Sequence, residues 1–519
     1  MYHSGSPLQK PCDINAILAV GLSKNPDEVA IIDKARTLSW RALDERSNRL
    51  ACHYLELGLK PGDRFASLMP NRAVLIVHYL ACLRAGLIAN PLTYQYTPSE
   101  IARAIADTGA SALLVHSERD ADVAAAALTT QLPAGVVRYE DGVETSGDLN
   151  QLLTNSSPAR TLSKISLDSA AFIIHTSGST GKPKGVTHSV ESFGWALASI
   201  TQGYGLREND VVMPSSSISR GGGIHITFST LAAGGKVVVP WSTDPEELLP
   251  LMRSYRPTQM GMLPAALFRL VRHKDASKDH FSSLRCMLSG GDKVPSELED
   301  EFTELTGLDI QESYGITELG MVAHNRPGSA NRPGSIGKPN PGFSLSLRND
   351  KGEEVEPNQI GRLWVKSPTT TIGYWQNVEA TTEAIQAGWF DTGDMMRCDE
   401  DGYFWFAGRR SQIIVHDGHN ISPQEVEQAL LEHPSVALAG VVGIRNLLHG
   451  ENVRAYITLR RDAERPSESE LIAFARERVG YKSPAEIILL NDMPLVGDGK
   501  IDRVSLKKMT AEEKDAHHL

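Results

Sequence analysis

The chain has 519 residues, of which 41% are hydrophobic and 22% are charged, and its formal net charge is −11. This length exceeds what one hydrophobic core organises, so we expect two or more domains. The ordinary apolar and charged fractions exclude a disordered or fibrous protein, and the negative charge argues against a nucleic-acid surface. We expect small-molecule partners and no nucleic acid.

Five cysteines are spread along the chain, at Cys12, Cys52, Cys82, Cys286 and Cys398. Their number is odd and no two have the CxxC spacing of a redox or zinc motif, so we expect reduced, mostly buried thiols. The first residues lack the basic and apolar regions of a signal peptide, and no apolar run has the length of a membrane span. We therefore expect a cytoplasmic protein without a membrane span.

Helical and strand-like segments alternate through most of the chain. Helical periodicity is present over 43–57 and 74–85, and short apolar strands are predicted at 65–69, 112–115 and 170–174. After residue 200, strands are predicted at 211–213, 236–239 and 286–289, and helices at 245–255 and 264–273. Strands that alternate with helices are typical of parallel sheets, so we expect an α/β domain.

The composition changes near residue 325, where Gly, Pro, Arg and Asn become frequent. The alternating segments 343–347 and 362–365 then predict a small antiparallel, β-rich unit. A second boundary falls near Gly408. Beyond it, Ser422 is a good helix N-cap, with Pro423 at the first helical position and Glu425 at the capping-box spacing. The rest of the chain is long enough for a small α+β domain.

A loop rich in glycine, hydroxyl and lysine side chains follows the strand 170–174, and residues 176–186 read TSGSTGKPKGV. Glycines let the backbone approach an anion closely, while hydroxyls, amides and lysine bind phosphate oxygens. The loop is not a Walker A motif, because Pro183 and not Ser or Thr follows Gly181 and Lys182. The interleaved Lys and Pro and the preceding strand favour a phosphate-binding loop of another lineage over a Gly/Ser linker.

Four more segments follow in order, each at a predicted strand end or loop: SGGD at 289–292, YGITE at 314–318, WFDTGD at 389–394 and PLVGDGKI at 494–501. Each is a weak signal alone, since an Asp after Thr-Gly is usually a turn residue. Together with the phosphate loop they make the chain similar to the adenylate-forming superfamily, which includes acyl-CoA synthetases, the adenylation domains of peptide synthetases and firefly luciferase. The resemblance covers nearly the whole chain.

The resemblance implies a reaction in two steps. A carboxylate attacks the α-phosphate of ATP to give an acyl-adenylate and pyrophosphate, and a thiol, usually that of CoA, then displaces AMP. ATP, Mg²⁺ and coenzyme A are the implied cofactors and substrates. The implied fold is α/β, with a large N-terminal domain of parallel or mixed sheets and packed helices (1–408, including a β-rich subdomain over about 325–408), a hinge (409–412) and a small mobile α+β C-terminal domain (413–519).

By the same resemblance, most of the nucleotide site lies in the N-terminal domain. The residues expected to hold the departing pyrophosphate are Thr176, Ser177, Gly178, Ser179, Thr180, Gly181 and Lys184. The adenine is expected between Ser313, Tyr314 and Gly315 on one side and a wall of Gly290, Gly291 and Asp292 on the other. Thr317 is expected to bond the α-phosphate and Glu318 to bind the metal ion, while Asp394 and Arg409 contact the ribose.

Lys500 is the expected adenylation lysine, which bridges the acyl carboxylate and the α-phosphate as charge develops. In the family the C-terminal domain rotates between a pose that presents this lysine and a pose that opens a channel for the thiol. Gln412 occupies the hinge position, where relatives commonly carry Asp or Lys. Gly418 and His419 match the segment that faces the CoA thiol, although Asp417 replaces one of two glycines usual there.

The residues expected to line the acyl pocket are Ile218, Ser219, Gly223, His225 and Leu319. Many relatives carry an aromatic residue or His at the position of Ile218 or Ser219, so a small gate followed by three glycines would leave more room or flexibility around the acid. His225 lines the pocket or is a packing histidine. No Asp between residues 214 and 228 is present to pair a substrate ammonium, which disfavours amino acids. We favour a structural role for Arg220 over pairing with a diacid, and apolar neighbours favour a hydrophobic acid.

Three functions stay open from the sequence. Our choice is an acyl-CoA synthetase, with a carboxylic acid, ATP and CoA as small-molecule partners. The second is a stand-alone adenylating enzyme that loads an acyl carrier protein or forms an amide. The third is a non-catalytic binding protein, against which the intact Lys184, Glu318, Asp394 and Lys500 argue. A homodimer also stays open.

Overall fold

The structure is a computed structural model that describes residues 2–3, 7–127, 132–142, 148–155, 162–176, 184–291, 293–326, 332, 334–409, 412–416, 419–446, 450–461, 463–495 and 501–516. The chain packs into two compact units. The larger unit comprises Tyr2–Ser344 and Lys366–Phe390, and the smaller comprises Leu345–Val365 and Asp391–Leu519.

The strands, in chain order, are β1 (Tyr2–His3), β2 (Val29–Asp33), β3 (Thr37–Ser39), β4 (Arg64–Leu68), β5 (Ile88–Pro91), β6 (Ala112–His116), β7 (Val136–Tyr139), β8 (Ala170–Thr176), β9 (Lys184–Ser189), β10 (Val211–Ser215), β11 (Lys236–Val239), β12 (Gln259–Met262), β13 (Cys286–Gly290), β14 (Ile310–Ile316), β15 (Gly320–His324), β16 (Lys338–Pro339), β17 (Ser344–Arg348), β18 (Ile360–Lys366), β19 (Gly373–Tyr374), β20 (Ile385–Gln386), β21 (Trp389–Cys398), β22 (Phe404–Arg409), β23 (Ile414–His416), β24 (His419–Ile421), β25 (Val436–Asn446), β26 (Gly450–Leu459) and β27 (Glu486–Leu489).

The helices are α1 (Ala19–Lys24), α2 (Trp40–Glu56), α3 (Ala73–Ala85), α4 (Pro98–Thr108), α5 (Asp120–Ala125), α6 (Asp148–Thr154), α7 (Val190–Gly203), α8 (Gly221–Ala232), α9 (Pro245–Tyr255), α10 (Pro264–Val271), α11 (Lys278–Phe281), α12 (Ser296–Thr306), α13 (Val378–Ala384), α14 (Pro423–Leu431), α15 (Glu468–Val479) and α16 (Arg503–Ala516). Every helix and strand predicted from periodicity is present, and α9 has the predicted bounds. Helix α2 begins at Trp40 because the hydroxyl of Ser39 caps it, accepting the N–H of Ala42 at 3.1 Å.

Two sheets organise the larger unit. One has the strand order β16-β15-β14-β13-β12-β10-β11-β2-β3 and the other β19-β9-β8-β5-β4-β6-β7. The strands from β14 to β2 in the first sheet and from β8 to β7 in the second run parallel, and the edges are antiparallel. The predicted α/β class is therefore confirmed, with mixed sheets.

Helix α3 shows where the main core lies. All of its residues except Arg84 are buried, and they pack with apolar residues of α2, β8 and α8. A helix that is apolar on every side is stable only when other elements surround it. Gly86 ends α3 with φ +71°, a conformation that suits glycine.

The smaller unit contains a β-sheet of order β24-β23-β26-β25, with β27 beside β26, and helices α14 to α16. Ser422 caps α14 as predicted, accepting the N–H of Glu425 at 3.3 Å, and Pro423 is the first helical residue. The Glu425 carboxylate accepts a bond from the Lys482 ammonium at 2.5 Å. This pair joins α14 to the turn after α15.

None of the five cysteines, all of which lie in the described residues, forms a disulfide, and four of them are buried. None of the helices in the described ranges is long and apolar enough to cross a membrane.

Candidate active site

The predicted phosphate loop is closed by its two flanking strands. Thr176 is the last residue of β8 and Lys184 is the first of β9, and the two residues are register partners in an antiparallel pair. The two ends of the loop are therefore held side by side at the edge of the parallel strands. Ser177, Gly178, Ser179, Thr180 and Gly181 lie outside the described residues, so their role in binding phosphate stays a prediction.

Tyr374 connects the predicted phosphate lysine to the predicted metal ligand. The Lys184 Nζ lies 4.8 Å from the centre of the Tyr374 ring, within the range of a cation–π contact. The Tyr374 hydroxyl donates a hydrogen bond to Glu318 Oε1 at 2.9 Å. One side chain thus touches both charged groups that the sequence assigned to ATP.

Thr317 and Glu318 form the tight turn between β14 and β15, and both of their carbonyl groups are fixed. The carbonyl of Glu318 accepts the N–H of Thr371 at 2.8 Å, and the Thr371 hydroxyl donates to the carbonyl of Thr187 in β9 at 2.6 Å. His188, also in β9, bonds through Nε2 to the carbonyl of Thr317 at 2.8 Å. The turn is therefore attached to the strand that begins at Lys184.

His188 is fully buried, and its burial lowers the pKa of the imidazole. A neutral imidazole carries one N–H, and the carbonyl of Thr317 requires it on Nε2. Nδ1 then accepts from the Ser192 hydroxyl, 3.3 Å away in α7. The histidine is in effect a fixed donor that links β9 to the turn.

The predicted adenine residues come together on neighbouring strands. Gly290, at the end of β13, is the register partner of Ser313 in β14. A Cβ at Gly290 would lie 2.3 Å from the carbonyl oxygen of Ser313, so only glycine permits this approach. Tyr314 follows Ser313 and is largely buried, whereas Gly291 is exposed. Asp292 lies outside the described residues.

The three glycines thought to loosen the acyl pocket form the first turn of α8. A Cβ on Gly221 would lie 3.7 Å from Thr317 Cγ2, so the start of this helix packs directly against Thr317. A Cβ on Gly223 would lie 2.2 Å from the Ser217 carbonyl oxygen, so Gly223 is a point of close packing. The free N–H groups at a helix N-terminus favour negative charge, which suits a carboxylate or phosphate beside Thr317.

The other predicted pocket residues are buried. Ile218 belongs to the main hydrophobic core, and the Ser219 hydroxyl donates to the carbonyl of Met69 at 3.4 Å. Leu319 is fully buried. The segment at Ile218 and Ser219, where relatives carry a residue that gates the acyl pocket, is therefore packed. Asn71 fixes its position, because Asn71 Oδ1 accepts the N–H of Ile218 at 2.9 Å.

His225 is buried beside the Thr317–Glu318 turn. Its ring lies 5.7 Å from the His188 ring and 5.5 Å from the Phe193 ring. Burial lowers the pKa of His225 to about 3, so the imidazole is neutral. Its Nε2 has no hydrogen-bond partner within the part of the chain that the structure describes. Whether His225 lines the pocket or only packs in the core stays a prediction. A buried nitrogen without a hydrogen-bond partner favours a polar ligand group beside it.

The predicted ribose residues lie in the smaller unit. Asp394 in β21 and Arg409 in β22 are cross-strand register partners, and Asp394 is 2% exposed. Gln412, the predicted hinge residue, follows in a turn in which its N–H donates to the carbonyl of Arg409 at 2.8 Å.

Lys500 and Gly418 lie outside the described residues, as does the side chain of His419. The residues that flank Lys500 are placed, since Leu495 and Ile501 form an isolated β-bridge and the N–H of Asp502 donates to the carbonyl of Pro494 at 2.9 Å. The segment that carries the lysine therefore begins and ends at one fixed point of the C-terminal region.

The side chains near Glu318 suit a hard divalent ion that takes its other ligands from the substrate and from water. Among the described residues no three His, Cys, Asp or Glu side chains gather into a metal cage. Mg²⁺ in nucleotide sites is commonly held by one or two carboxylates with phosphate oxygens and water. The Glu318 carboxylate accepts a bond from Tyr374, and carboxylate oxygens are ligands that such an ion prefers.

Sequence reasoning missed His188, Thr371 and Tyr374. His188 is 129 residues from Thr317, and Tyr374 is 56 residues from Glu318. No short spacing marks these pairs, because His188 and Tyr374 lie on the sheet β19-β9-β8, whereas the Thr317–Glu318 turn joins β14 to β15 of the other sheet.

Comparison with known families decides the assignment. Residues 19–375 match the family described as AMP-binding enzyme, and residues 425–500 match the AMP-binding enzyme C-terminal domain. The chain belongs to the AMP-binding enzymes. The adenylate-forming resemblance read from the motifs is thereby confirmed.

This AMP-binding enzyme is 31% identical over 484 residues to the feruloyl-CoA synthase of an Amycolatopsis species. The matched region covers 92% of this chain and 95% of that synthase. It is 32% identical over 491 residues to the 2-succinylbenzoate–CoA ligase of Geobacillus kaustophilus, at 93% and 95% coverage. The solved structure of ATP-bound MatB from Rhodopseudomonas palustris is similar with a TM-score of 0.88 at 26% identity, covering 96% of this chain and 99% of that one.

Proposed function

We propose that this AMP-binding enzyme is an ATP-dependent carboxylic acid–CoA ligase. It forms an acyl-adenylate and pyrophosphate from the acid and ATP, and CoA then displaces AMP to give the acyl-CoA. The observation that carries the proposal is the attachment of the Thr317–Glu318 turn to the phosphate-loop strand through His188 and Tyr374. Similarity to two CoA ligases over more than nine tenths of the chain supports CoA as the acceptor.

Each group has a defined task in the first step. Lys184 and the loop before it neutralise the departing pyrophosphate, and the hydroxyl of Thr317 bonds an α-phosphate oxygen. Glu318 holds Mg²⁺, which supplies charge neutralisation of the polyphosphate. Asp394 accepts the ribose hydroxyls with Arg409 beside it, and Lys500 bridges the acid carboxylate and the α-phosphate.

The domain division follows from these roles. The N-terminal domain, 1–408, binds ATP and the acid, the hinge is at 409–412 with Gln412, and the C-terminal domain, 413–519, presents Lys500 in one pose and Gly418 and His419 to the thiol in another. The acyl pocket beside Leu319 and His225 receives a hydrophobic acid, and the burial of both residues supports this proposal.

The test is pyrophosphate release by the purified protein with ATP, Mg²⁺ and CoA across short, medium and long fatty acids, aryl acids, dicarboxylates and amino acids. Release that depends on one acid class, with matching loss of free CoA thiol, is expected. Release of pyrophosphate without thiol loss would contradict CoA as the acceptor. Absence of release with every acid would contradict the proposed ligase.

A further inference from the structure

Tyr374 is held in place from both sides of its backbone. It is the register partner of Val186 in β9, and its N–H donates to the Thr381 hydroxyl at 2.9 Å. The next residue, Trp375, donates its N–H to the carbonyl of Gly185 at 2.7 Å. The backbone of the tyrosine is thus attached to the strand that starts with Lys184.

The two ends of this side chain meet opposite charges. The ring face lies against the Lys184 ammonium, at 4.8 Å from Nζ to the ring centre, and the hydroxyl donates to Glu318 Oε1 at 2.9 Å. A hydrogen bond orients a carboxylate, and an aromatic face attracts a cation without neutralising it. Lysine and glutamate of opposite charge at one site otherwise attract each other.

We propose that Tyr374 is a positioning residue for metal-bound ATP, fixing Glu318 for the divalent ion through its hydroxyl and Lys184 for the polyphosphate through its ring. This inference rests on the proposed function, because it assigns the two charged residues to ATP. The hydroxyl and the ring have separable effects. Loss of the hydroxyl weakens the metal dependence of ATP binding, and loss of the ring also weakens the contribution of Lys184.

The experiment measures ATP binding by calorimetry at stepped Mg²⁺ concentrations. Tyr374→Phe is expected to raise the Mg²⁺ concentration for half-maximal binding about tenfold, as expected for a hydrogen bond to a charged group. Binding of ATP without Mg²⁺ stays unchanged in this variant. Tyr374→Leu is expected to weaken binding under both conditions.

The chain offers a matched control in Tyr94, whose hydroxyl donates to Glu118 Oε2 at the same distance of 2.9 Å on the protein surface. Tyr94→Phe is expected to bind ATP and Mg²⁺ as the native protein does. A double variant with Glu318→Gln shows whether the tyrosine acts through the carboxylate, since Tyr374→Phe then adds no further change in Mg²⁺ dependence.

Native Mg²⁺ dependence in Tyr374→Phe would overturn the inference, and so would full additivity with Glu318→Gln. The failure of the proposed function looks different, because the native protein itself would then show no binding of ATP and Mg²⁺. Thermal unfolding midpoints of all variants identify a variant that has lost its fold. If Tyr374→Leu is that variant, Tyr374→Phe, which keeps the ring, carries the test alone, and native Mg²⁺ dependence in it overturns the inference.

Discussion

Asp394 and Arg409 face each other across an antiparallel strand pair, and the Arg409 Nε lies 3.3 Å from Asp394 Oδ1. The Asp394 side chain is almost fully buried, whereas about half of the Arg409 side-chain surface is exposed. The buried member is therefore fixed in place, and the exposed member is accessible to a ligand. That Asp394 accepts two ribose hydroxyls beside Arg409 stays a prediction, which the next variants test.

Asp394→Asn is expected to weaken ATP binding at least tenfold, because an amide offers one acceptor oxygen in place of two. Calorimetric titration with ATP and Mg²⁺ measures it. Asp391→Asn is the control, since Asp391 lies on the same strand and accepts a bond from Arg362 Nε at 2.6 Å. That control should lower the unfolding temperature and leave the ATP affinity unchanged. Equal ATP affinity in Asp394→Asn would remove the ribose assignment.

Lys500→Ala is expected to reduce adenylate formation by a factor of about 100 or more, since it removes the cation that stabilises charge developing on the reacting groups in the transition state. Thioester formation from a supplied acyl-adenylate should persist. Pyrophosphate exchange measures the first step and thiol loss measures the second. Lys507→Ala, an exposed change on α16, is the matched control. Equal loss of both steps would contradict the two-pose mechanism.

His188→Leu is expected to slow pyrophosphate exchange by about ten- to a hundredfold, because it leaves the Thr317 carbonyl without its donor in a buried place. His188→Gln retains an N–H donor and should recover a substantial part of the rate. The comparison of kcat for the two variants, at saturating acid and ATP, checks the role of the donor. Identical rates in both variants would show that His188 only fills space.

Glu312, in β14 just before Ser313, predicts a dependence of stability on pH. Burial, reinforced by the nearby Glu299, raises the pKa of Glu312 from 4.5 to about 8, while Lys293 and backbone N–H groups of Val294 and Gly334 oppose the change. The folded protein therefore keeps this carboxyl protonated at pH values where the unfolded chain has released the proton. The contribution of this group to the free energy of unfolding falls as pH rises from about 4.5 to 8, on the order of 1 kcal/mol for each pH unit.

Glu312→Gln removes the ionisable group and should remove that slope. As pH rises from about 5 to 8, the unfolding temperature of the variant is expected to exceed that of the native protein by an increasing amount. Glu304→Gln, an exposed change on the adjacent α12, should leave the slope unchanged. A difference that does not vary with pH would show that Glu312 is ionised in the folded protein.

Local sequence signals predicted many of the helices and strands. Contacts that depend on the pairing of distant strands could not be predicted. Helices such as α9 carry their own start and period, so Asp244 and Pro245 mark the beginning of the helix in the sequence itself. The sequence also predicts the strand before the phosphate loop, but not β9, which pairs with it and closes the loop. The role of Tyr374 could not be predicted from the sequence, because the register of β19 against β9 depends on the whole sheet.

The acyl pocket shows a second limit. The sequence shows three glycines and a small residue, and either a loose loop or a tightly packed turn satisfies that composition. The structure shows a helical first turn with Gly223 close to the Ser217 carbonyl, because the segment before it is anchored by Asn71. The glycine-rich composition permits several backbone conformations for this segment, and its packing against neighbouring residues selects the helical one.

The buried cysteines have a consequence for an enzyme that produces an activated acyl group. An acyl-adenylate acylates thiolates, and its intended acceptor is itself a thiol. Burial raises the pKa of Cys286 to about 12 and that of Cys12 to about 11, and it raises the pKa of Cys82 as well. Protonated thiols are poor nucleophiles, so these side chains do not compete with CoA for the acyl group. The protein is thereby protected from acylating itself at these three positions during turnover.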